Sequence, residues 1–173
     1  SIFTQLENTS GELAKITTFI DNYHTKISNL ELQISNSELE LLQYNFTELT
    51  EKDSINESLR IKLHTSVENL KTIQQKIESV KGIIEKLNSY EYDENCIYCV
   101  KNEFVKDAIE AKQTLPELKN QFKIVGEEVE GLKLKLVEYE DIKSSIKTYQ
   151  SITTKLSELS TEKSNITTSY ISN

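Results

Sequence analysis

Cys96-Ile97-Tyr98-Cys99 is the one stretch of this 173-residue chain where metal-binding side chains stand at a ligand spacing, and it holds the only two cysteines. Two thiolates separated by two residues supply half of a tetrahedral Zn²⁺ site, with sulfur about 2.3 Å from the metal, because structural zinc takes four ligands. The chain has no second such pair. Its two histidines, His24 and His64, fall on helical stretches tens of ångströms away at about 1.5 Å rise per residue, and they read as exposed helix residues. The candidate ligands are therefore Cys96 and Cys99, and the missing half points to a second copy: one Zn²⁺ per two chains, four cysteine ligands, a homodimer. A redox dithiol normally opens a helix in a βαβ setting, and nothing here has that pattern. Two other readings stay open, a metal-free turn and an apical thiol-disulfide switch.

Around the motif, Tyr90, Tyr92, Ile97, Tyr98, Val100 and Phe104 are apolar or aromatic. Ile97, Tyr98 and Val100 are the candidate dimer-interface residues, since burying them would add about 25 cal/mol per Å² to what the sulfurs supply. Glu91, Asp93 and Glu94 would bring acids of two copies together and make pairing salt-sensitive. No catalytic or cofactor-binding constellation is present. There is no P-loop, Gly-rich phosphate cradle, HExxH or serine-histidine pair, so this stretch is expected to be non-catalytic.

Composition says what must carry the cysteines. The chain is 36% hydrophobic and 28% charged, with four Gly, one Pro and no Trp. That suits long polar helices with a narrow apolar stripe better than a compact core. The net charge of −8 and the lack of a Lys/Arg cluster argue against a nucleic-acid or anionic-membrane surface. No apolar run approaches the ~20 residues of a membrane span. Two cysteines in such a chain fit a reducing, cytoplasmic setting better than a disulfide scaffold. The start at Ser1 reads as that of an excised fragment. Sequons such as Asn45-Phe-Thr47 are expected by chance in a chain rich in Asn, Ser and Thr.

Apolar residues step by threes and fours on both sides of the motif. The fold expected is all-α: an outgoing helix over 1–88, a turn over 89–103 carrying the cysteines, and a returning helix over 104–173. Asn102 suits the cap of the returning helix. Near the turn one seam reads Leu59, Leu63, Ser66, Leu70, Ile73, Ile77, Val80, Ile84, Leu87. The other reads Phe104, Ala108, Ala111, Leu115, Leu118, Phe122, Val125, Val129, Leu132, Leu136, Tyr139. Both are heptad seams of a left-handed coiled coil. In an antiparallel pair, facing residue numbers share one total. Leu87 with Ala108, Ile84 with Ala111, Ile73 with Phe122 and Leu63 with Leu132 all total 195, as do Cys96 and Cys99. Heptad phase alone would produce that agreement about one time in seven. The seams close into a long antiparallel hairpin with the cysteines at its apex.

Farther out, Leu13, Ile16, Ile20, Tyr23, Ile27, Leu30 and Ile34 form one seam and Tyr149, Ile152, Leu156, Leu159, Ile166 and Tyr170 another, and Ile34 with Leu159, Ile27 with Ile166 and Tyr23 with Tyr170 total 193. The two-residue shift falls between about 42 and 58 on one arm and 139 and 149 on the other, and it predicts local unwinding at matching height. The second arm runs out opposite residue 20 or so. Pro116 costs about 3 kcal/mol inside a helix, and Thr114-Leu-Pro-Glu117 also reads as a capping box. Because the heptad phase runs through it, a kink is expected there rather than a break.

A long antiparallel coiled coil with CxxC at its apex resembles the zinc hook of SMC-like ABC ATPases, the SbcC-type family that processes DNA double-strand breaks. The likeness covers the whole chain as architecture and rests on Cys96 and Cys99 as motif. Ile97 stands where hooks of the repair branch commonly carry proline, and the segment from Asp93 to Ala108 is more similar to hooks of bacterial antiphage SMC-like proteins of the Lamassu type. The resemblance implies ATPase heads built from other parts of the parent chain. They would bind DNA and couple ATP to a nuclease or effector subunit, and the hook would act as a tether.

Overall fold

The computed structural model describes residues 1–89 and 93–172. Among them the chain is all-α, with no strand: α1 (Ile2–Leu41), α2 (Phe46–Asn88), the one-turn α3 (Ile97–Val100), α4 (Glu103–Val137) and α5 (Ile142–Ser172). No helix among the described residues is long and apolar enough to cross a membrane.

The helices form two units. In the first, Ser1–Glu51 with Asp141–Asn173, α1 packs on α5. Tyr23 and Tyr170, matched by heptad phase in the sequence, stack with ring centroids 3.9 Å apart, and Phe19 stacks on the same Tyr170 at 6.0 Å. Glu31 pairs with Lys163 at 2.9 Å. Tyr44 meets Tyr149 edge-on, and Phe46 stacks on it at 4.7 Å. Numbers rise along one arm as they fall along the other, so the helices are antiparallel. Leu30 and Ser37 of α1 and Ile142, Ile152 and Leu159 of α5 are buried. Leu13 and Ile16 remain 65% and 54% exposed, since α5 runs out near Tyr23.

In the second unit, Lys52–Glu140, Leu87 of α2 is buried with Val105 and Ala108 of α4, and Ile83 and Phe104 pack around them. Farther along, Ile77 and Lys81 share a surface groove with Lys119 and Phe122, and Val67 and Leu70 share one with Gly126 and Val129. The order is again antiparallel. All the seam positions read from the sequence in α2 and α4 are buried or half-buried, as is Tyr139 just beyond α4.

Both arms are interrupted. After Leu41 the backbone tightens into i→i+3 bonds, Gln43 N–H to Glu40 O and Tyr44 N–H to Leu41 O, each 3.1 Å. Asn45 then restarts the helix, its Oδ1 accepting from Glu48 N–H at 3.1 Å, an N-cap worth about 1 kcal/mol. The sequence carried that signal in Asn45-x-x-Glu48, overlooked beside the sequon. After Val137 the same tightening follows, with Tyr139 N–H to Leu136 O at 3.0 Å. Glu138, Glu140 and Asp141 oppose a helix C-terminus and suit the start of the next helix. The sequence pattern suggests interruptions at matching height, but the one at 42–45 lies against Tyr149, two turns inside α5.

At Pro116 the helix neither stops nor re-caps. α4 is continuous through it. The ring and Lys112, whose carbonyl loses its N–H partner, both face solvent, so water can satisfy that carbonyl.

Candidate metal centre

The segment between α2 and α4 is built around two short turns. Asp93 closes the first: its carbonyl accepts from Cys96 N–H at 3.0 Å, and its Oδ1 accepts from Asn95 N–H at 2.9 Å. Cys96 stays extended (φ −84°, ψ 114°), and the chain then coils into α3. Val100 N–H reaches back to Cys96 O at 3.1 Å, and Asn102 N–H to Cys99 O at 3.3 Å. Asn102 caps α4 as the sequence indicated, its Oδ1 accepting from Phe104 N–H at 3.0 Å. Tyr90, Glu91 and Tyr92, named above as candidate apolar and acidic neighbours, lie outside the described residues.

One turn of helix returns Cys99 beside Cys96. Both are free thiols and half-buried, and each shifts the titration of the other. Cys96 titrates below the ordinary thiol value, chiefly through the backbone and thiol of Cys99 and then the backbone of Tyr98, which favour its charged form. Cys99 titrates above that value, chiefly through the thiol of Cys96, although the backbone of Asp93 acts the other way. Because each thiol shifts the other, deprotonation belongs to the pair and comes in two steps.

Backbone N–H groups aimed at sulfur favour thiolate, and thiolate is the form that ligates metal. Two adjacent soft donors held this way fit a divalent ion such as Zn²⁺ as half of its set. Among the described residues no third His, Cys, Asp or Glu stands near enough to extend the pair. His24 and His64 are both exposed on helices, and His24 sits edge-on to Tyr23 at 5.4 Å.

The remaining candidates divide by exposure. Tyr98 is 88% exposed and Ile97 67%, so both apolar bodies project into solvent beside the thiols. Val100 is less open at 38%. Phe104 is turned inward, half-buried against the Leu87 cluster, so it ends the arm packing and is no part of the exposed patch. Val105, 5% exposed, is the buried neighbour the heptad reading did not single out. Compared with protein-family models, with curated proteins and with solved structures, the chain matches none.

Proposed function

We propose that this chain is an antiparallel coiled-coil hairpin with the CxxC at its apex, and that it pairs with a second copy through a shared four-cysteine zinc site. Cys96 and Cys99 would each hold the metal, and Ile97, Tyr98 and Val100 would bury against their counterparts. The observation that carries this reading is the pair of free, half-buried thiols that the single turn of α3 brings to one side of the link between α2 and α4. Bound zinc supplies no redox chemistry. It draws four thiolates to one point and so joins the two chains.

On this reading the segment is non-catalytic and serves as a tether. The zinc-hook resemblance extends it to a cytoplasmic SMC-like ATPase of DNA repair or antiphage defence, whose heads would engage DNA and a nuclease or effector subunit. The exposed Ile97 and Tyr98 fit an apex that meets a partner, because exposed aromatic and aliphatic groups gain most from being covered there.

Zinc content and mass, measured together, test the proposal. Loaded protein should hold one Zn²⁺ per two chains and sediment as a dimer. Chelator should split it, and Cys96→Ser should give a metal-free monomer. A wild-type chain that stays monomeric and metal-free after zinc loading would overturn the reading. A dimer broken by reductant and indifferent to chelator would do the same in favour of a thiol-disulfide switch.

A further inference from the structure

We propose that Asp93 is the positioning residue of the cysteine pair, an inference that rests on the zinc-pairing reading above. Among the described residues, Asp93 is the one whose side chain bonds inside the turn that leads into the motif. The Asp93 carbonyl holds Cys96 N–H at 3.0 Å, and its Oδ1 holds Asn95 N–H at 2.9 Å. Asp93 thus fixes the backbone of the first cysteine, and the turn that follows, with Val100 N–H on Cys96 O at 3.1 Å, brings the second one round.

The chemistry of this turn restricts what can stand at 93. An oxygen two bonds beyond Cβ reaches the N–H two residues on, the local bond that Asp and Asn make well. Alanine offers no acceptor, and glutamate places its oxygens a carbon too far. The bond needs an oxygen and does not need a charge, so Asp93→Asn keeps the turn. Asp93 is exposed and outside both flanking helices, so neither variant removes arm packing. Groups that orient metal ligands typically govern affinity by about 10–100-fold. A dimer contains the turn twice, which doubles the effect on a logarithmic scale.

The experiment compares wild type, Asp93→Ala and Asp93→Asn by two measurements. The first is capture of a trivalent arsenical, which chelates two thiols of one chain and requires no partner. The second is assembly of the dimer with Zn²⁺, with Co²⁺ as a spectroscopic substitute whose sulfur-to-metal charge-transfer band reports ligation. Asp93→Ala should weaken arsenical capture about ten-fold and zinc dimerisation about a hundred-fold, with its Co²⁺ band diminished. Asp93→Asn should stay within about three-fold of wild type in both. Equal capture by wild type and Asp93→Ala would overturn the proposal. So would an Asp93→Asn variant as weak as Asp93→Ala, since charge rather than the turn would then be responsible. If wild type captures arsenical yet forms no zinc dimer, the pairing reading fails, and the arsenical series alone decides the role of Asp93.

Discussion

In the unit formed by Ser1–Glu51 and Asp141–Asn173 the arms are clamped by stacked rings, whereas in Lys52–Glu140 they meet through aliphatic side chains with small and polar ones among them. Tyr23 on Tyr170 and Tyr44 on Tyr149 bracket the first unit. Each ring sits opposite its heptad partner, and the two clamps are three heptads apart on both arms. The second unit buries Ile73, Ile77, Leu87, Val105, Val129 and Leu132, with Ala108, Ala111, Ser66 and Asn56 among them. Large rings interlock in one alignment, because sliding by a turn puts ring against backbone. Aliphatic side chains in a heptad repeat fit nearly as well one heptad along, so a further residue must choose between alignments. Asn56 is suited to do so. It is 1% exposed, its Oδ1 takes a bond from Arg60 Nε at 3.3 Å, and its Nδ2 is buried without a hydrogen-bond partner. A single buried Asn in a helical seam costs stability and specifies register. One unit is aligned by shape, the other by the cost of a misplaced amide.

The largest effect on this contrast comes from removing a ring. Tyr170 stacks on both Phe19 and Tyr23. Tyr170→Ala should cost the first unit about 2–3 kcal/mol, less than a fully buried aromatic because the site is half-open. Tyr170→Leu should recover the burial but not the stacking, which adds about 0.5–1.5 kcal/mol beyond area. Denaturant unfolding of the two variants measures both. If Tyr170→Leu matched wild type, the clamp would be ordinary burial, and the contrast would reduce to side-chain size.

The sequence made the arms legible because heptad phase is a strong, repeated signal. Every seam residue it marked is buried or half-buried except Leu13 and Ile16, which have no helix across them. What it hid was polar or local. Ser37 and Asn56, each 1% exposed, continue the three-four spacing but are passed over by a search for apolar residues. Val105 and Ile142 lie at the edges of the periodic stretches, where packing includes residues beside the seam. The offset of the two interruptions depends on caps and end charges, such as Asn45 and Glu138, which set where a helix stops without changing its phase. At the candidate metal centre the cysteine spacing itself was plain. The backbone bonds that build the turn, Cys96 N–H on Asp93 O and Val100 N–H on Cys96 O, are announced by no residue type. Asp93 was visible only as a charge, yet its structural contribution is a carbonyl and one carboxylate oxygen.

A middle-sized effect separates cost from specificity in the second unit. Asn56→Leu removes a buried amide whose Nδ2 has no partner and fills the space with carbon. That exchange should stabilise the unit by about 1–2 kcal/mol, raising the denaturant midpoint. The same variant should loosen alignment. Disulfide trapping between cysteines introduced across α2 and α4, at matched and at one-heptad-shifted positions, should give one product in wild type and a mixture in Asn56→Leu. A stabilised variant that still traps a single alignment would show that the aliphatic layers choose the register without help.

The smallest effect tests whether the second unit is loose by necessity. Gly126 lies inside α4, half-buried, and a methyl group there would meet nothing within 4 Å. Gly11 in α1 is equally open but fully exposed, in a stretch with no helix across it. Glycine in a helix interior costs about 1 kcal/mol relative to alanine. That cost appears in a cooperative unfolding transition only if the residue must be helical for the unit to hold together. Gly126→Ala should therefore raise the stability of its unit by about 0.5–1 kcal/mol. Gly11→Ala should increase local helicity, read by amide exchange, with the transition unmoved. If Gly126→Ala instead lowered stability, the open space beside Val67 and Leu70 would be space the packed arms require. The second unit would then be as shape-determined as the first, by a gap rather than a ring.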